Sequence, residues 1–213
     1  AHPIILSSIH SDFSISLKDL KLKEMLRYGL YVLAGGVSII IVSRVDMMMI
    51  GSLLDLKQVA FYTVAFFIGN AIMVPAKSIA AISTPLIAKA WENKDLDEIQ
   101  TIYSKSSINQ LIIGGVFFLC IWLNIDSIFL LFPETFQSGR WVVFYIGLSQ
   151  LFNMVSGLNA QIIINSEYYR YDLYTSVFLV FVTIATNFFL IPKYEINGAA
   201  MATAISIILF NLI

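Results

Sequence analysis

With 213 residues, 58% of them hydrophobic and only 13% charged, and a mean hydropathy of +0.81, the chain is too apolar for a soluble domain whose helices each need a solvated face. A formal net charge of -1 and scattered basic residues leave no phosphate-tracking surface, which excludes nucleic acid as a partner. Cys120 is the sole cysteine and His2 and His10 are the only histidines, so neither a disulfide framework nor a metal site is expected, and no cofactor is implied.

Residues 1–27 read as a cytoplasmic tail or connector. The opening Ala1-His2-Pro3 lacks an initiator Met and the closing Leu212-Ile213 sits inside an apolar run, as in a piece cut from a longer polypeptide. From residue 28 onward, apolar length measured against a bilayer core of about 30 Å predicts six membrane helices, over 28–54, 59–88, 106–124, 141–165, 173–191 and 198–213, the last cut short. The expected fold is therefore an all-α integral membrane bundle. Strands are excluded, because no alternating segments recur as a barrel requires. Amphipathic spacing predicts a short interfacial helix over 91–103 between the second and third spans. A similar one is expected over 129–136, interrupted by Pro133.

The connections differ in charge. With a cytoplasmic N-terminus, the inside segments hold Lys18, Lys21, Lys23, Arg27, Lys89, Lys94, Lys105 and Arg170, and the outside ones only Lys57, Arg140 and Lys193. The positive-inside bias favours that orientation.

Charge inside the spans marks the candidate site, because an ionised group in hydrocarbon faces a cavity or a partner. Arg44 and Asp46 are two residues apart on the first span, about 200° from each other around a helix, and cannot pair together. Arg44 suits an anionic substrate and Asp46 a coupling ion; interhelical contacts or snorkelling are the bland alternatives. Lys77, between Pro75 and Pro85 on the second span, sits where a broken helix would open a cavity, unless it snorkels to the interface. On the fourth span Gln150, Asn153, Gly157 and Gln161 fall within about an 80° arc, and Asn165 extends it. Ser176, Thr183 and Asn187 form a matching stripe on the fifth. These amides and hydroxyls could wet a sugar or hold helices together. The pairs Gly35-Gly36 and Gly114-Gly115, with Gly198-Ala199-Ala200, fit close helix packing. No catalytic constellation is found, so an enzyme is not expected.

Asn187 to Ser206 (NFFLIPKYEINGAAMATAIS) resembles the N-x-x-L-I-P-x-Y-G-I-x-G-A-A-x-A-T-x-I-S hallmark of polysaccharide exporters. Arg27-Tyr28-Gly29-Leu30 followed by Ser43-Arg44-Val45-Asp46 is similar to the helix that opens their second half, and Val59-Ala60-Phe61-Tyr62-Thr63-Val64-Ala65 looks like V-G-x-Y-x-x-A. The chain thus resembles Wzx-type lipid-linked oligosaccharide flippases of the multidrug/oligosaccharidyl-lipid/polysaccharide exporter superfamily. It departs from them at Leu30-Tyr31, which lacks a proline, and at Ala60 and Glu195, where the pattern has glycines.

That resemblance implies one six-helix half of a twelve-helix exporter in the bacterial inner membrane. Its cargo would be an undecaprenyl pyrophosphate-linked oligosaccharide, and its partners membrane lipids and the N-terminal half of the same transporter. Arg44, Lys77, Asn153, Gln161 and Asn187 would bind substrate and Asp46 would couple an ion. A multidrug and toxin extrusion-type cation antiporter is the alternative within the superfamily. A membrane-embedded sugar transferase or polymerase is a third reading, opposed by the short loops.

Overall fold

The computed structural model describes residues 22–212; the expected tail up to residue 21, with both histidines, lies outside the described residues, as does Ile213. The fold is all-α. Helix α1 (Leu22–Leu53) ends beside Asp55, whose carboxylate caps α2 (Leu56–Asn70) by accepting from the Gln58 N–H at 2.7 Å, the usual use of Asp at a helix start. A 3-10 turn, Ala71–Met73, then separates α2 from α3 (Val74–Glu92). Pro75 sits in the first turn of α3, where its missing N–H costs nothing, so the expected break in the second span falls there. Pro85 remains inside α3.

The expected interfacial helix over 91–103 does not form. Helix α3 runs on to Glu92, Lys94 turns the chain at φ 55, and Asp95 caps α4 (Leu96–Leu123) through the Glu98 N–H at 2.9 Å. The charged residues read as an amphipathic face are instead the turn and the first turns of a 28-residue helix, which Asp and Glu favour at its N-terminus. The segment around Pro133 forms α5 (Ile125–Phe129) and a 3-10 helix, Glu134–Gly139.

The fourth span is also divided. Helix α6 (Arg140–Val155) stops at a turn in which Gly157 adopts φ 62, and α7 (Asn159–Ile164) follows. The last two spans form one bent element, α8 (Tyr169–Leu212), with Glu195 at φ 52 and ψ -133. At the bend a Cβ on Gly198 would lie 2.1 Å from the Leu190 carbonyl oxygen, so only glycine allows the two arms, 169–194 and 196–212, to meet backbone to backbone.

Leu56–Glu92, Leu96–Leu123 and Leu173–Leu212 are each long and apolar enough to cross a membrane. Large apolar side chains such as Leu30, Leu33, Phe117, Phe181, Phe188 and Phe189 are exposed, as on a surface that meets lipid. The main core joins Ile50, Tyr62, Phe66, Ile125, Phe129, Val142, Ile146, Ile191 and Ile196. It gathers α1, α2, α5, α6 and the α8 bend at one end of the molecule. An aromatic cluster of Trp122, Trp141, Phe144 and Tyr145 lies at that end, where Arg140 pairs with Asp126 at 2.7 Å and stands 5.7 Å over the Trp122 ring. Such aromatic and charged groups suit a membrane–water boundary. The opposite end, where Tyr28 Oη reaches the Ile164 carbonyl at 3.2 Å and Trp91 Nε1 reaches that of Ile162 at 3.1 Å, is hollow.

Candidate functional site

The helix breaks create the hollow. Where the 3-10 turn leads into α3, and where α6 gives way to α7, side chains of these elements converge with α4 and the last turn of α8 around a cavity of about 200 Å³. Lys77, Gln110, Asn153, Asn159, Gln161 and Asn211 supply its polar lining, and Met73, Ala76 and Phe210 part of its apolar one. Lys77 is the single charged residue among those lining it. Lys89, in the last turn of α3, is about 18 Å further along the axis at 1.5 Å per residue, so Lys77 stands well inside the helix and not at its end. The ammonium has no hydrogen bond or ion pair among the described residues.

The amides of the lining differ in what they already bind. Asn211 Nδ2 donates to Asn153 Oδ1 at 3.4 Å and to the Ile207 carbonyl at 2.8 Å, and Asn153 Nδ2 lies 3.4 Å from Gln150 Oε1. Gln110 is 2% exposed, and its Nε2 has no partner. A second, larger cavity of about 590 Å³, lined by Trp91, Ser166, Tyr168, Tyr171 and Thr175, shares Asn159, Ala160, Phe210 and Asn211 with the first. The two adjoin through these shared residues, the larger with Trp91, Tyr168 and Tyr171 in its lining and the smaller mainly with amides.

Asp46 occupies a different place. It is fully buried beside the core, where Tyr62 Oη donates to Oδ2, the Met47 N–H donates to Oδ1 at 2.8 Å, and Thr203 Oγ1 approaches Oδ2 at 3.4 Å. Helices α1, α2 and the second arm of α8 thereby share one carboxylate. Arg44, on the opposite face of α1, is exposed, with its guanidinium 3.9 Å from Met47 Sδ.

The structure thus brings Lys77, Asn153 and Gln161 together and leaves Arg44, Asp46 and Asn187 apart from them. The expected continuous stripe on the fourth span is corrected. Gly157 interrupts the helix, so Gln161 reaches the cavity from α7 rather than along the arc of α6. Asn187, with Ser176 and Thr183, is fully buried on the first arm of α8; Asn187 Nδ2 donates to the Thr183 carbonyl at 2.9 Å. Sequence reading missed Gln110, Asn159 and Asn211; Gln110 follows Asn109 and the polar stretch Ser104-Lys105-Ser106-Ser107, in which the expected third span begins. It also missed Tyr62 and Thr203, which stood inside the family-like segments without an evident partner.

A family model described as MatE matches residues 22–189. A crystal structure of a MATE proline-to-alanine mutant is similar at a TM-score of 0.73 and 18% identity, covering 92% of this chain and 46% of that one. A multidrug resistance MATE family transporter of the MOP superfamily, in an outward-facing conformation, is similar at 0.66 and 17%, covering 88% and 42%. The chain spans under half the length of either transporter, and at these identities the likeness is one of fold. No curated protein sequence matches the chain.

Proposed function

Because the chain belongs to the MatE family, we propose that it forms one bundle of a membrane exporter in which the Lys77 cavity receives the cargo and Asp46 couples an ion to its movement. The observation that carries this reading is the separation of the two sites. The cavity lies among α3, α4, α6, α7 and the end of α8, whereas the carboxylate ties α1, α2 and α8 at the core end. Two ligands that bind apart but meet one shared element, the second arm of α8, can each bias one packing of the bundle, which is what coupled exchange requires.

A multidrug and toxin extrusion-type antiporter is the form of this reading that the comparisons favour, through the family match and the likeness to a multidrug resistance transporter. Flipping of undecaprenyl pyrophosphate-linked oligosaccharide, across a bacterial inner membrane and with an N-terminal half as partner, is the second. One observation favours it: an organic cation entering the cavity meets Lys77 and no carboxylate, whereas a phosphate meets a cation and a sugar meets amides.

The test is transport by the full-length protein in proteoliposomes, with an imposed ion gradient and either a cationic dye or a fluorescent lipid-linked sugar. Asp46→Asn is expected to abolish gradient-driven movement while leaving cargo binding within about twofold. Undiminished gradient-driven transport by Asp46→Asn would remove the coupling role, and the cargo that moves decides between the two forms.

A further inference from the structure

At the α8 bend a glutamate occupies a backbone conformation that favours glycine. Glu195 has φ 52 and ψ -133, close to the first corner of a type II′ turn, where a Cβ is crowded by its own backbone. A residue in such a conformation persists only while the packing around it leaves no alternative, and here Ile191 and Ile196, on either side, are both buried in the main core. The side chain gives nothing in return, because the exposed carboxylate has no hydrogen bond or ion pair among the described residues.

Beyond the bend, the second arm meets both of the sites described above. Thr203 Oγ1 lies 3.4 Å from Asp46 Oδ2, and Asn211 Nδ2 lies 3.4 Å from Asn153 Oδ1 in the cavity wall. Both contacts are long and correspondingly weak. Between the bend and Thr203 the buried face of the arm is small, with Ala199, Ala200 and Ala202, so the arm can turn without pulling large side chains from the core. At 1.5 Å per residue Thr203 is about 12 Å and Asn211 about 24 Å from Glu195. A rotation about the bend that shifts Thr203 by about 1 Å therefore shifts Asn211 by about 2 Å.

We propose that the second arm of α8 is a lever that pivots at Glu195, and that the strain at this residue keeps a second, turned packing of the arm within reach. The inference rests on the reading of Asp46 and the cavity as two ligand sites, and it names the element that joins them. Turning the arm breaks the Thr203 and Asn211 contacts but relaxes Glu195, so the two packings lie close enough for a ligand at either site to select between them.

The experiment uses the purified full-length protein in a cysteine-free background, spin-labelled through Ile112→Cys on α4 and Leu209→Cys on the second arm, both exposed positions. The distance between the labels is measured in lipid nanodiscs without ligand by pulsed electron resonance, and thermal unfolding is recorded alongside. Two distances are expected in the otherwise unaltered protein. Glu195→Gly is expected to deplete the minor one about fivefold and to raise the melting temperature by about 2 °C or more. Glu195→Ala, which keeps the Cβ and loses the carboxylate, is expected to match glutamate in both readouts. Thr203→Val and Asn211→Leu, each removing one contact of the arm, are expected to enlarge the minor population. A single distance that none of these variants changes overturns the lever. If Glu195→Ala behaves as Glu195→Gly does, the effect belongs to the carboxylate and the strained pivot is overturned. Because the distances are read without transport, an arm that responds as expected stands even if Asp46→Asn retains gradient-driven transport and the coupling role falls.

Discussion

A carboxylate with no accessible surface holds its place only while donors surround it, and Asp46 has three, from Tyr62, Thr203 and the Met47 N–H. Removing the Tyr62 hydroxyl leaves the shape of the core intact and deletes one bond to a buried acid, a change of about 1–3 kcal/mol. Tyr62→Phe is therefore expected to lower the melting temperature of the detergent-solubilised protein by several degrees. Arg44→Ala, on an exposed side chain with no ion pair among the described residues, is expected to change it by about 1 °C at most, since such surface changes lie within about 0.5 kcal/mol. Thermal unfolding of both variants, monitored by tryptophan emission, decides whether the two charges differ as their surroundings do. That Arg44 and Asp46 leave α1 on different faces was legible, because two positions on a helix are about 200° apart; that Arg44 would stand outside the cavity was not. Nor was it legible which of them would be buried, since that depends on Tyr62 and Thr203, the latter 157 positions away.

Two breaks interrupt the helices that line the cavity, and they were not equally readable. The one before Pro75 carries its own signal, a residue that lacks an N–H and belongs in a first turn. The one at Gly157 carries none, because a glycine in an apolar run reads equally as a packing contact. Its left-handed backbone is fixed by tertiary approach, a Cβ there falling 2.3 Å from Ser107 Oγ on α4. Gly157→Ala adds both a strained φ and that contact. It is expected to destabilise the protein by about 1–2 kcal/mol and to reduce transport by moving Gln161 relative to Lys77. Gly198→Ala meets backbone at the α8 bend, which cannot step aside as a serine hydroxyl can, so its loss of folded protein is expected to exceed that of Gly157→Ala. Abundance in membranes and thermal unfolding of the pair test this order. The interfacial helix expected over 91–103 failed for a related reason: the acidic residues there cap a long helix, and a local amphipathic pattern does not distinguish the two.

At the scale of the molecule, packing is polarised. The main core closes the end built from α5, the start of α6 and the α8 bend, while the cavities open toward the end where α3 meets α4. The residues expected on one side of the membrane, Lys94 and Arg170, belong to the α3–α4 turn and the start of α8; Lys57 and Arg140 start α2 and α6 at the core end. Single cysteines at these positions, in a Cys120→Ser background, are expected to react with an impermeant thiol reagent in intact cells at 57 and 140 and only after permeabilisation at 94 and 170. Labelling of position 94 in intact cells would invert the arrangement. The all-α membrane fold was legible from composition and apolar length alone. The hollow end was not, because it arises from breaks on two elements meeting in space.

The sharing of Asp46 among three elements also sets a timetable. Tyr62 leaves the ribosome 16 residues after Asp46 and Thr203 157 residues after it, which at about 5–20 residues per second corresponds to roughly 1–3 s and 8–30 s. During that interval a newly made α1 holds an acid in the bilayer with Tyr62 as its early companion and Thr203 still to be synthesised. Of the two side-chain donors, Tyr62 is thus the one available first to the nascent carboxylate. In a pulse-chase measurement Tyr62→Phe is expected to increase degradation of chains arrested before residue 203, whereas Thr203→Val acts only after the last helix has been made.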